Sequence, residues 1–148
     1  MPDDPLATLN DEARALLESA RVGRLATADA EGAPHVIPVC FALLDGRIYS
    51  IVDEKPKRTT RLARLRNIEG NPSVALVVDR YDEDWSMLAW VLIRGAARVL
   101  DAATSEDEHR VAVAALRAKY DQYQAMNLAG RPLIVLTPAR VNAWRANA

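Results

Sequence analysis

One cysteine, Cys40, stands in a chain of 148 residues. A lone thiol cannot close an internal disulfide or build a cysteine-based zinc site. Net charge is almost absent as well, at a formal −1. No global field therefore draws nucleic acid or a membrane surface, and any basic patch must be local. No apolar run approaches the roughly 20 residues of a membrane span. Residues 1–9 carry Asp3 and Asp4 and lack the apolar stretch of a signal peptide. These absences give the expectation of a cytoplasmic protein. Repeats, low-complexity segments and long linkers are also missing, so residues 1–148 read as a single domain. There is no Gly-x-Gly-x-x-Gly and no strand–helix–strand alternation, which argues against a dinucleotide fold. No Gly-x-Ser-x-Gly elbow is present, and no side chain stands out as a general base.

What remains is a run of short strands. Asn10 caps a helix over 11–20, whose Ala13, Leu16, Leu17 and Ala20 share one face. Residues 22–28 read as a strand and 29–32 as a hairpin turn. Residues 35–44 (HVIPVCFALL) read as one long strand. Pro38 within it marks an edge or a bulge, because proline cannot donate to a ladder. Asp45-Gly46 is a two-residue hairpin signal, and 47–52 is the partner strand. A helix capped by Thr59 or Thr60 is expected to run to about residue 68 and to stop at Gly70-Asn71-Pro72. Strands over 73–81 and 88–100 follow, the second with a bulge at Gly95. Ser105-Glu106-Asp107-Glu108 has capping-box spacing and opens a helix to about residue 123. A last strand covers 133–145. Six strands and three helices result, with tight hairpins that require antiparallel pairing. The expected fold is mainly β, a six-stranded antiparallel barrel with flanking helices, since closure removes sheet edges.

The most informative polar stretch is Lys55-Pro56-Lys57-Arg58-Thr59-Thr60. Three cations precede two hydroxyls at a helix start, where unpaired N–H groups and the helix dipole favour an anion. Lysine and arginine add charge and bidentate donors, so the stretch reads as a phosphate site. The competing reading is a solvated basic loop. Cys40 and His35 are five residues apart on one expected strand and so face opposite ways, which speaks against a Cys–His pair. His109 sits among acids, but they fit a helix start better than a metal cluster. Trp90, inside an apolar strand, reads as core or interface. Trp144 is placed to close over a flat ring. The absence of a triad fits a protein whose cofactor carries the chemistry.

Several segments together resemble the pyridoxamine 5'-phosphate oxidase-like split-barrel family. They are 21–28 (RVGRLATA), 32–39 (GAPHVIPV), and 66–76 (RNIEGNPSVAL). Residues 55–58 and 79–85 (DRYDEDW), with Trp90-Val91, are similar to a largely actinobacterial subgroup of F420-dependent oxidoreductases. The resemblance covers almost the whole chain. It implies a six-stranded split barrel and a homodimer with two cofactors in grooves between subunits. It implies that Lys55, Lys57 and Arg58, with Thr59 and Thr60, meet the cofactor phosphate. Backbone at Pro38, Val39, Ser50 and Ile51 would support the ring, and Trp144 would reach it from the partner chain. The arginine-rich substrate signature of the oxidase itself is missing. Coenzyme F420 is therefore the expected cofactor, with FMN as the alternative. The implied activity is transfer of hydride from reduced deazaflavin to an electron-poor small-molecule acceptor. An FMN-dependent oxidase or flavin reductase, or a non-catalytic binder of F420 or of haem through His35, are the other readings.

Overall fold

The computed structural model describes residues 4–53, 62–103 and 105–147. Seven strands form one antiparallel sheet: β1 (Gly23–Ala28), β2 (Pro34–Val39), β3 (Ala42–Leu44), β4 (Arg47–Ile51), β5 (Ser73–Arg80), β6 (Ala89–Leu100) and β7 (Leu133–Arg145). Three α-helices accompany them: α1 (Asp11–Ser19), α2 (Ala63–Gly70) and α3 (Glu106–Lys119). The mainly β, antiparallel class expected from the sequence is observed.

The strand order is β2-β1-β5-β6-β7-β4-β3. Both edge strands, β2 and β3, are neighbours in the chain, parted only by Cys40 and Phe41. The single strand expected over 35–44 is thus two, which makes the count seven. The cause is a corner. Phe41 N–H leaves the ladder and donates to the Tyr120 hydroxyl at 3.1 Å. That hydroxyl shares its own proton between Arg21 O at 2.9 Å and Phe41 O at 3.1 Å. The Phe41 ring is fully buried behind it. Pro38 lies on the edge strand β2, where its missing donor costs nothing.

Three helix ends differ from expectation. The cap position of α2 falls at Leu62, which makes no side-chain bond, and Thr59 and Thr60 lie outside the described residues. Ser105 precedes α3, but its hydroxyl makes no capping bond. Helix α3 stops at Lys119 rather than near residue 123, because Tyr120 turns extended (φ −120°, ψ 113°) to serve the corner. Asn10 caps α1 as expected, accepting from Ala13 N–H at 2.9 Å.

Alternation along the strands builds two cores. Ile48, Ala97, Ile134 and Leu136 face one, together with Leu17 of α1 and with Leu65 and Ile68 of α2. Tyr49, Leu100, Leu133 and Val135 face the other, under Ala112, Val113 and Leu116 of α3. The β3-β4-β7 end of the sheet is therefore covered on both faces. The β2-β1-β5 end and the far halves of β6 and β7 put only one face into a core.

Lys119 sits at the corner. Its ammonium donates to Phe41 O at 2.8 Å and lies 3.9 Å from the Phe41 ring centroid. Burial and the nearby Arg21 charge lower its pKa to about 8. An unfolded lysine keeps its proton to about pH 10.4. Between about pH 8 and 10 the unfolded chain thus binds more protons, and the lysine's contribution to stability grows as pH rises. Urea denaturation at about pH 7.5 and 9.5 should show wild type gaining stability relative to Lys119→Met at the higher pH. An equal difference at both values would mean that the folded ammonium keeps an ordinary affinity for its proton.

Candidate functional site

A groove of about 710 Å³ opens between α1 and the ends of β5, β6 and β7. Ala13 and Leu16 line one wall and Arg80, Val91, Ala143 and Arg145 the other, and Tyr81, Trp90 and Trp144 also belong to the lining. The pairing of β6 with β7 sets Trp90 opposite Trp144. Their rings stack with centroids 6.4 Å apart and planes 22° from parallel. Trp90 is 36% exposed and Trp144 45%. Of the two expectations for Trp90, core or interface, the core is not where this chain places it. Its neighbours Val91 and Ile93 are fully buried, so alternation turns Trp90 outward. Tyr81 and Trp85 stand close by, 63% and 68% exposed, linked by the Trp85 indole N–H at 3.4 Å from the Tyr81 hydroxyl. Few isolated domains leave so many aromatic rings in water without a use for them.

Lys55, Lys57, Arg58, Thr59 and Thr60 lie outside the described residues. The chain leading to them is well anchored. Val52 N–H donates to Pro132 O at 2.9 Å. Asp53 accepts from the Tyr123 hydroxyl at 3.0 Å through its carboxylate and from the Arg131 guanidinium at 2.6 Å through its carbonyl. Burial and the Asp53 charge push the Tyr123 phenol upward, so it stays a donor. This anchor escaped sequence reasoning, because Asp53, Tyr123 and Arg131 are far apart in the chain and none belongs to a motif.

The other expected cofactor contacts fall in two places. Pro38 is exposed on the edge, opposite Arg24, and Val39 is half-buried opposite Gly23. Ser50 and Ile51 are buried, 7% and 5% exposed, and pair with Ile134 and Leu133 of β7. Ser50 pairs with Ile134, whereas Trp144 lies ten residues further along β7. Ten residues of strand span about 33 Å. A single chain thus cannot bring Ser50 and Trp144 to one ring.

Other polar clusters are structural. Glu108 accepts from Arg98 at 2.6 Å and from the Tyr49 hydroxyl at 2.8 Å, with Arg47 at 3.7 Å. Partial burial works against its charge, but Arg98, Tyr49 and Arg47 together hold the carboxyl below its ordinary range. The buried His109 donates from Nε2 to Arg131 O at 2.6 Å, since a carbonyl only accepts. Cys40 is half-buried against the α3 core. His35 is half-buried, and its Nδ1 has no hydrogen-bond partner. Among the described residues no group of three histidine, cysteine or carboxylate side chains could hold a metal ion, and no helix is long and apolar enough to cross a membrane.

An antiparallel sheet that is split at a corner between its own edge strands, with helices over its two cores, defines a split barrel. The chain belongs to the pyridoxamine 5'-phosphate oxidase family, whose model matches residues 9–145. It is similar to the 5a,11a-dehydrotetracycline/5a,11a-dehydrooxytetracycline reductase of Streptomyces rimosus, with 34% identity over 85 residues, 57% of this chain and 58% of the relative. The match thus spans little more than half of that protein. A heme binding protein from Mycobacterium smegmatis superimposes with a TM-score of 0.70 at 23% identity, covering 99% of this chain and 55% of its own. An F420 reductase does so with a TM-score of 0.60 at 23% identity, over 90% of this chain and 98% of the other. At that identity the superpositions establish the fold alone.

Proposed function

We propose that the protein is an oxidoreductase that binds a flavin-type cofactor, coenzyme F420 first and FMN as the alternative, in a groove between two copies of the chain. The observation that carries this reading is the exposed, stacked Trp90–Trp144 pair beside a groove of about 710 Å³. Flat aromatic faces suit a flat heteroaromatic ring. The names of the similar proteins, a dehydrotetracycline reductase and an F420 reductase, point to the same class. The distance between Ser50 and Trp144 favours a homodimer, in which one copy supplies the backbone of β2 and β4 and the other supplies Trp144.

When bound, a reduced deazaflavin supplies a hydride for an electron-poor double bond in a small-molecule acceptor. The chain's own residues bind and orient. Lys55, Lys57 and Arg58, with Thr59 and Thr60, would hold the phosphate, and the Asp53 anchor would fix where the chain toward them leaves the sheet. Backbone at Pro38, Val39, Ser50 and Ile51 would lie under the ring. The tryptophans would cover it and keep water out, so that orientation is the protein's main contribution.

Titration of the purified protein with F420 and with FMN, followed by tryptophan quenching and cofactor absorbance, tests the reading. Tighter binding of F420 is expected, and Lys57→Ala should weaken it by about 1–3 kcal/mol. Preference for FMN would move the protein to the oxidase or flavin-reductase branch. Binding of neither would remove the proposed activity.

A second reading is haem binding, favoured by the unpartnered His35 Nδ1 and by the heme binding protein of the same fold. A Soret band on haem addition that disappears in His35→Ala would support it. A spectrum indistinguishable from free haem would eliminate it.

A further inference from the structure

The open face beside the groove carries an ordered series. Strands β6 and β7 run antiparallel, with Trp90 opposite Trp144, Leu92 opposite Asn142 and Arg94 opposite Arg140. Directly opposed residues share a face, and so do residues two apart along a strand. All six side chains therefore project from one side, away from the core that holds Val91 and Ile93. The two arginines are a like-charge pair placed directly across the ladder, an arrangement that destabilises a sheet. Both are exposed, and among the described residues neither makes a hydrogen bond or an ion pair. By contrast Arg24, on the same face, has Asp79 at 3.9 Å, and Arg98 has Glu108 at 2.6 Å. Among the described residues, this directly opposed cation pair is thus left without an anion.

We propose that these three pairs form a binding track for an elongated ligand with a flat ring at one end and an anionic group at the other. The ring lies against Trp90 and Trp144. The anion, a phosphate or a carboxylate, is held by Arg94 and Arg140. Four residues of strand separate the two ends, about 13 Å, and Asn142 and Leu92 flank the linker between them. Two guanidinium groups on adjacent strands offer paired donors that suit a multiply charged oxyanion. The proposal rests on the reading of the protein as a binder of a flavin-type cofactor and adds where that molecule's acidic end is held. This anion contact is separate from the one assigned to Lys55, Lys57 and Arg58.

The test compares ligands that share a ring and differ in the acidic tail: F420, F420 cut back to its phosphate, and the tailless FMN and riboflavin. Wild type and Arg94→Gln/Arg140→Gln are titrated by tryptophan quenching at fixed ionic strength. Wild type should bind F420 at least about tenfold more tightly than the form cut back to its phosphate, as expected for charge-assisted hydrogen bonds. In the double variant that advantage should shrink by about tenfold, with affinity for the tailless compounds unchanged. Trp90→Ala/Trp144→Ala should weaken F420 and its cut-back form equally. An anion advantage that survives intact in the arginine variant overturns the track while leaving the cofactor reading in place. Failure of wild type to bind any of the four compounds overturns both.

Thermal unfolding gives a readout that needs no flavin. Relief of like-charge repulsion should leave the arginine variant at least as stable as wild type. Inorganic pyrophosphate should raise the wild-type Tm more than the variant's, because the variant has lost one of the places where the anion stabilises the folded state. A variant less stable than wild type, or one that responds equally to pyrophosphate, would count these arginines as ordinary surface residues and sink the proposal.

Discussion

Gly95→Ala should cost about 3 kcal/mol or more, at the upper end of what overpacking a tight site does. A Cβ built at this position would lie 2.1 Å from Thr137 O, 2.9 Å from Thr137 C and 3.1 Å from Pro138 Cα. All three are backbone atoms of the neighbouring strand, so no side-chain rotation relieves the clash. The close approach exists because the β6–β7 register shifts there: Arg94 pairs with Arg140, but Gly95 pairs with Pro138, leaving Ala139 as an extra residue. That bulge decides which β7 side chains face which side. Before it, Ile134 and Leu136 point into one core and Leu133 and Val135 into the other. After it, Arg140, Asn142 and Trp144 share the open face. For a domain of this size the loss corresponds to a Tm lower by roughly 6–12 °C. Gly70→Ala is the control, since its Cβ would meet only Ala30 Cβ at 4.0 Å, and it should be near neutral. Equal midpoints for Gly95→Ala and wild type would show that the two strands can separate there without penalty.

Tyr120→Phe should lower stability by about 1–3 kcal/mol, the cost of leaving buried polar groups unpaired. The hydroxyl is the partner of Phe41 N–H and a donor toward Arg21 O and Phe41 O. Lys119 still reaches Phe41 O in the variant, but nothing else among the described residues accepts from Phe41 N–H. The ring stays, so packing is conserved and the change reports the hydrogen bonds. Amide exchange at Phe41 should accelerate, because local opening is governed by that bond. Unaltered exchange there, with an unaltered Tm, would assign the corner's rigidity to the buried Phe41 ring instead. The corner also matters to the site, since it sets where Pro38 and Val39 on β2 stand relative to Ser50 and Ile51 on β4.

Local chemistry was legible in the sequence. Antiparallel strands followed from alternation and tight turns, the Asn10 cap from its residue type, the edge position of β2 from Pro38 and the bulge from Gly95. Each depends on residues close in the chain. The expectations that failed were also local ones, overruled by distant partners. A continuous apolar run over 35–44 gives no sign of a break, because the break is made by Tyr120, almost eighty residues away. The capping-box spacing at Ser105 is correct, yet its Glu108 is drawn off by Arg98 and Tyr49.

The same division holds for the candidate site. The basic stretch from Lys55 to Arg58 reads as an anion site by composition, whatever the rest of the chain does. That Trp90 faces Trp144 and Arg94 faces Arg140 could not be read from the sequence, since about thirty residues connect β6 to β7 and leave the register open. A shift by one residue would turn every one of those side chains to the other face. By itself, then, the sequence determined the mainly β, antiparallel class; the split barrel came from the family resemblance, and the basic stretch marks where an anion site is proposed. The choice of face was left to tertiary structure, because strand register is settled by packing in the two cores and by the bulge at Gly95. That register is what leaves the tryptophans and the unpaired arginines together in the open.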